Sequence, residues 1–188
     1  FVVHADQLGF VEAWIGQHHT LAWEPIPAND VFIANVLPRT KNIRLGTGVS
    51  SLPYHHPFML ADRINQLDHM TRGRTMFGVG PGSLSSDAYM MGIPIAKQRD
   101  RMDESLAVLV RLLRGEEVSH DGLVRVDRAR VWTRPPDPAL LLGAAVSVAT
   151  ARWCAEWADG LITVNADREQ LRRLIDAYRT AGGRGRLH

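Results

Sequence analysis

The stretch IRLGTGVSSLPYHHPFMLADRINQLDHMTRGRTMFGVG, residues 43–80, reads as a strand, a helix and a second strand. Residues 43–50 form a short apolar run that ends in small side chains. Pro57 suits the first turn of a helix, where its fixed φ helps and its missing N–H is not needed. Leu60, Ile64, Leu67 and Met70 then recur at helical spacing. Arg72-Gly73-Arg74 leads into the strand 75–79. A strand–helix–strand order of this kind argues for a parallel βαβ unit.

The same alternation extends in both directions. Residues 1–9 read as the tail of a helix closed by a glycine, and 11–15 as a short strand. Asn29 or Asp30 can cap a helix through residue 37. Beyond the glycine-rich 78–83, a helix is expected over about 98–114, with Met102, Leu106, Leu109, Val110 and Leu113 as its apolar stripe. Residues 120–138 alternate and contain turn formers, which suggests a hairpin or extended excursion. Strands follow at 140–145 and 161–164, with a helix at 150–158 between them. Leu171, Leu174, Ile175 and Tyr178 mark a last helix, ended by Gly182-Gly183. Five strands with crossover helices suit a doubly wound α/β sheet or part of a (β/α)8 TIM-type barrel. A closed barrel needs eight strands and about 250 residues. As a barrel, then, the chain is expected to be one partial domain over 1–188, with about five of the eight strands.

Composition limits the function classes. The 188 residues are 45% hydrophobic and 22% charged, with a net charge of +2. No uninterrupted apolar run is long enough for a membrane span. The opening FVVHADQLGF lacks the pattern of a secretory signal, so the cytoplasm is the expected compartment. Arginine dominates the basic residues, but it is spread along the chain rather than gathered into a stripe, and no nucleic-acid partner is expected. A single cysteine, Cys154, excludes an internal disulfide and a cysteine-rich metal site.

Four groups of residues sit at expected strand ends, the edge where parallel α/β folds build their sites. The first is Gln17-His18-His19-Thr20. Either imidazole can exchange a proton near neutral pH or hydrogen-bond a ligand; a loop pair that packs locally is the plain alternative. Neighbouring histidines in extended backbone point apart, so no metal site is expected. The second is Thr47-Gly48-Val49-Ser50-Ser51, whose small residues would let a flat ring approach; close helix packing explains them equally well. The third, Gly78-Val79-Gly80-Pro81-Gly82-Ser83, matches neither a dinucleotide fingerprint nor a P-loop. Gly80 can still lie against a ligand. The fourth is Ser147 and Thr150 at a helix start, suited to an anion or to simple capping.

Together LGFVEAWIGQHH, the long phrase from IRLGTGVSS to MTRGR, and MFGVGPGSLSSDAYMMGIP resemble the bacterial-luciferase-like monooxygenase superfamily. Residues 10–117 are similar to its limonene-monooxygenase branch. LVRVDRARVWTRP, LLGAAVS and WADGLITVN look closer to deazaflavin-dependent oxidoreductases, so the chain reads as a mixture of two relatives, of engineered or ancestral origin. The resemblance implies a partial TIM barrel and an oxidoreductase that uses reduced FMN and molecular oxygen on a small apolar substrate. A separate flavin reductase is implied, since no nicotinamide motif is visible. The alternatives are a deazaflavin-dependent hydride-transfer enzyme, or an inactive fragment whose open sheet edges favour a homo-oligomer. Under the resemblance His18 takes the place of the active-site histidine, with His19 its neighbour. Gly48 and Val49 fall beside the flavin ring, and Ser147 and Thr150 match phosphate-holding positions. Two departures stand out: Pro81 replaces an arginine in the glycine-rich loop, and Gln17 replaces a glutamate.

Overall fold

A computed structural model describes residues 1–188 except Pro136, Pro138, Asn165 and Ala166. Six strands form one parallel sheet in the order β1-β2-β3-β6-β7-β8: β1 Glu12–Ile15, β2 Arg44–Ser51, β3 Thr75–Gly80, β6 Leu140–Ala144, β7 Gly160–Ile162 and β8 Arg186–Leu187. The helices α1 Val2–Gln7, α2 Asn29–Val36, α3 Pro57–Thr71, α4 Ser85–Met90, α5 Gln98–Leu113, α6 Val148–Cys154 and α7 Arg168–Thr180 precede, connect and cover the strands. An antiparallel hairpin, β4 Val118–Asp121 and β5 Arg125–Ala129, interrupts the sheet order between α5 and β6. It overlaps the excursion expected at 120–138 but starts two residues earlier, at Val118; Pro136 and Pro138 of that excursion lie outside the described residues.

Alternation along the strands separates two faces. Ile15, Leu45, Phe77, Val79 and Leu141 join Ile33, Leu60, Ile64, Met102 and Leu109 from the helices in one buried cluster. The opposite face is concave. On it a Cβ at Gly46 would fall 2.4 Å from Trp14 Cε3, so only glycine leaves room for that indole. The sheet curls until its outer strands meet through side chains: His188 Nδ1 lies 2.8 Å from Glu12 Oε2, and the His188 and Trp14 rings are 5.1 Å apart. The result is a half-barrel of parallel strands. Among the described residues no helix is long and apolar enough to cross a membrane.

Several elements depart from expectation. The sheet has six parallel strands rather than five, because the two-residue β8 is too short to carry a period. Helix α4 was also unanticipated; six residues, with buried Asp87 and Ala88, show no repeating stripe. The first residue of α2, Asn29, does not cap it. Its buried amide instead donates to Ile15 O and Val49 O, tying the ends of β1 and β2 together. Met70 continues the apolar spacing of α3 yet is 45% exposed. Helix α6 starts at Val148, two residues earlier than expected, and ends at Cys154. Burial pushes the Cys154 thiol up to about 12, as expected for a packed structural thiol rather than a nucleophile.

Candidate functional site

A cleft of about 470 Å³ opens beyond the carboxyl ends of the strands. The loop after β1 brings Gln17, His18 and Glu24 to it; β2 brings Gly48 and Val49; β3 and its loop bring Gly80, Pro81 and Ser83. Ala144, Thr150 and Thr163 close the far side, and Arg99 reaches in from the start of α5. A broader hollow of about 720 Å³ lies around Thr40, Lys41, Arg72 and Arg74, beside the entrances to β2 and β3. Parallel barrels converge their variable loops at the opposite end, which favours the first cleft as the site.

His18 sits between two carboxylates. Its Nδ1 is 3.4 Å from Asp87 Oδ2 and its Nε2 is 3.5 Å from Glu24 Oε2. Asp87 lies on α4, and its Oδ1 also receives the His19 backbone N–H at 3.2 Å and the Thr20 hydroxyl at 2.7 Å. Burial works to raise the Asp87 carboxyl, but hydrogen bonds from Thr20, His18 and His19 outweigh it and hold the group below its ordinary value. His19 is exposed and lies outside the cleft lining; its ring meets the Gln17 amide at 3.3 Å and stands edge-on to Tyr54. Gln98 donates to the Tyr54 hydroxyl and to Pro81 O, which fastens the glycine-rich loop to α5. Among the described residues the Gln17 Oε1 and Thr163 Oγ1 atoms are buried without a hydrogen-bond partner, and both residues face the cleft. Such orphaned groups cost about 1–3 kcal/mol each unless a ligand or water satisfies them.

Small residues make the floor. A Cβ at Gly80 would approach Val49 Cγ2 to 3.1 Å and Ala144 Cβ to 3.5 Å, so there is little room for a side chain at this position. At the other end Ser147 caps α6, accepting from Thr150 N at 3.2 Å and lying 2.9 Å from the Thr150 hydroxyl. Capping is therefore a role Ser147 does fill, and it is not part of the cleft lining. The Arg99 guanidinium lies 4.1 Å over the Trp153 ring and pairs with Asp103.

Of the residues named from the sequence, His18, Gly48, Val49, Gly80 and Thr150 line one cleft, together with Gln17, Ser51, Pro81, Gly82 and Ser83, while Ser147 and His19 lie outside its lining. Asp87, Glu24, Thr163 and Arg99 were missed. Arg99 had a weak signal, a cation at the start of an expected helix where the dipole disfavours one. Asp87 had none.

A third imidazole, His55, lies just before α3. His55 is partly buried, and burial with the Arg63 charge beside it pulls its pKa from 6.5 down to about 4, against a smaller opposing effect of Asp30. Arg63 donates to its Nδ1 at 3.0 Å and also pairs with Asp30 at 3.2 Å. The folded chain holds His55 neutral while the unfolded chain protonates it from about pH 6.5 downward. Its contribution to stability is whole above pH 6.5 and is lost as pH falls towards 4, by up to about 3 kcal/mol. Urea unfolding at several pH values should show this slope, and His55→Gln should flatten it.

The luciferase-like monooxygenase family profile matches residues 1–187. Over 112 residues, 60% of the chain, the sequence is 54% identical to 4-hydroxyprotoasukamycin monooxygenase of Streptomyces nodosus subsp. asukaensis. Over 118 residues, 63% of the chain, it is 50% identical to limonene 1,2-monooxygenase of Rhodococcus erythropolis. Each match spans 30% of the relative's length. The fold superposes on the oxygenating constituent of 3,6-diketocamphane monooxygenase from a Pseudomonas putida plasmid, with a TM-score of 0.82, 24% identity, and coverage of 96% of this chain and 54% of that one. It also superposes on an F420-dependent secondary alcohol dehydrogenase, with a TM-score of 0.85, 20% identity, and coverage of 98% and 61%. The chain spans a little over half the length of these solved structures. With its half-barrel of parallel strands and its strand-end cleft, this chain belongs to the luciferase-like monooxygenase family.

Proposed function

We propose that the cleft holds an FMN-type flavin and that the chain forms the cofactor-binding part of a flavin-dependent monooxygenase acting on a small apolar substrate. The observation that carries this reading is the polarity gradient along the cleft. The partly buried His18 imidazole stands at one end, the Val49–Gly80–Ala144 floor lies in the middle, and Thr150 with Arg99 forms the other end. A flat heteroaromatic ring with an anionic tail has the same order of chemistry. The two orphaned groups fit it as well: Gln17 Oε1 can accept from a ring N–H, and Thr163 Oγ1 can donate to a ring oxygen or nitrogen.

Reduced and bound, the flavin would supply the electrons for reaction with oxygen. The side chains would do the rest. Val49, Gly80 and Ala144 keep water from one ring face, since apolar groups closely spaced against the ring offer it no hydrogen-bond partner. Thr150 and Arg99 neutralise the phosphate, Arg99 through charge-assisted N–H donors. His18 holds or releases a proton at Nε2, the nitrogen aimed at Glu24 and the cleft. The diketocamphane enzyme of similar fold was solved with FMN, and the named relatives are monooxygenases. A separate reductase and a homo-oligomer complete the proposal.

A second reading, a deazaflavin coenzyme with hydride transfer, is favoured by the likeness to the F420-dependent dehydrogenase. Titration of the chain with FMN and with F420, followed by fluorescence, separates the two; binding of neither, together with self-association, would favour an inactive fragment. Light scattering on a sizing column tests the oligomer. Arg99→Ala is expected to weaken FMN binding roughly tenfold, the loss of one partly solvated charge-assisted contact, while riboflavin, which lacks the phosphate, should bind the variant and the parent alike.

A further inference from the structure

We propose that Asp87 is the positioning residue for His18: its buried carboxylate claims the Nδ1 hydrogen, so that Nε2 is the nitrogen presented to the cleft. The consequence for turnover rests on the flavin reading above, whereas the geometry does not. Asp87 is 3% exposed and sits on α4, 69 residues away from His18 in sequence. An ionised carboxylate can only accept hydrogen bonds. Facing Nδ1 at 3.4 Å, it therefore favours the ring form with hydrogen on that atom, in the neutral imidazole and in the charged one alike. A neutral ring held this way keeps its lone pair on Nε2.

The carboxylate is itself held in place. Oδ1 receives the His19 N–H and the Thr20 hydroxyl, and that hydroxyl also meets Ser86 Oγ at 2.6 Å. The loop after β1 is thereby fastened to α4 through one acidic side chain. The other group facing the ring is Glu24, 3.5 Å from Nε2 and 36% exposed on the cleft wall. An incoming ligand can push it aside, but it cannot displace Asp87. Of the two carboxylates, then, the buried one sets the ring and the exposed one yields.

The test is 15N NMR of the His18 ring at alkaline pH, where tautomers are distinguished, on the parent chain and on Asp87→Asn. The parent is expected to hold hydrogen on Nδ1. The carboxamide of the variant offers both a donor and an acceptor, so the preference should shift towards Nε2–H. FMN affinity should stay within about twofold, while turnover with an added reductase falls roughly 10- to 100-fold at unchanged KM, the usual scale for a lost orienting partner. A parent His18 with hydrogen on Nε2 would overturn the proposal without any variant, even if Asp87→Asn failed to fold. So would a variant that kept both tautomer and turnover. Failure of the flavin reading shows separately, as a parent chain that binds no FMN, and the ring measurement then still decides the role of Asp87.

Discussion

His18→Ala is expected to cut flavin-dependent turnover by roughly 10²- to 10³-fold, within the range for a lost proton-transfer group, while FMN affinity changes less than about threefold. The imbalance follows from where the groups lie. The phosphate end of the cleft, Thr150 and Arg99, is separate from His18, so the groups proposed to anchor the tail are untouched. The imidazole, by contrast, is the ring system through which Asp87 and Glu24 face each other across the rim. Removing it leaves Glu24 and the Asp87 Oδ2 facing each other with no donor between them. Parallel titration and steady-state assays check the split. Turnover equal to that of the parent would remove His18 from the chemistry, and a large loss of FMN affinity would make it a binding residue.

Phe77→Ala should lower the unfolding free energy by about 3–5 kcal/mol, the cost of emptying a large buried site. Phe77 is 2% exposed and lies in β3, opposite Thr47 of β2 and Leu141 of β6. Its ring joins the cluster beneath α3 and α5, so the cavity would open in the middle of the sheet. A domain of this kind has about 5–15 kcal/mol in all, and the loss is a large part of it. Met70→Ala is the control: that side chain is largely outside the core, and its loss should change stability by less than about 0.5 kcal/mol. Urea denaturation of both variants checks the pair. Equal effects at the two positions would contradict the assignment of Phe77 to the core.

Met70 also shows how far spacing reaches. Positions 60, 64, 67 and 70 satisfy the helical period equally, and the first three are buried. Whether the fourth is covered depends on what lies above the last turn of α3, and there the chain leaves an open hollow. The cleft follows the same logic. His18, Gly48, Val49, Gly80 and Thr150 could be proposed because each follows a recognisable strand or opens a helix. His19 shared that signal, but its ring is turned out towards Tyr54, a choice of loop geometry that no neighbouring residue announces. Ser147 was a phosphate candidate and a cap at once; the hydrogen bond to Thr150 N shows that it caps, and leaves its ligand role to experiment.

The periods of the longer strands and helices, several proline and glycine boundaries and the order of all elements but α4 and β8 were legible in the linear chain, because each depends on residues within one or two turns of one another. That was enough for the parallel sheet and for the edge on which a site would form. The curl joining β8 to β1, the buried carboxylate beside His18 and the arrival of Arg99 from α5 were decided by packing. Each depends on contacts between segments far apart in the chain, 69 residues for Asp87 and His18 and 176 for His188 and Glu12. Such contacts exist only once the sheet order has brought those segments together, and they leave no periodic trace in either segment alone.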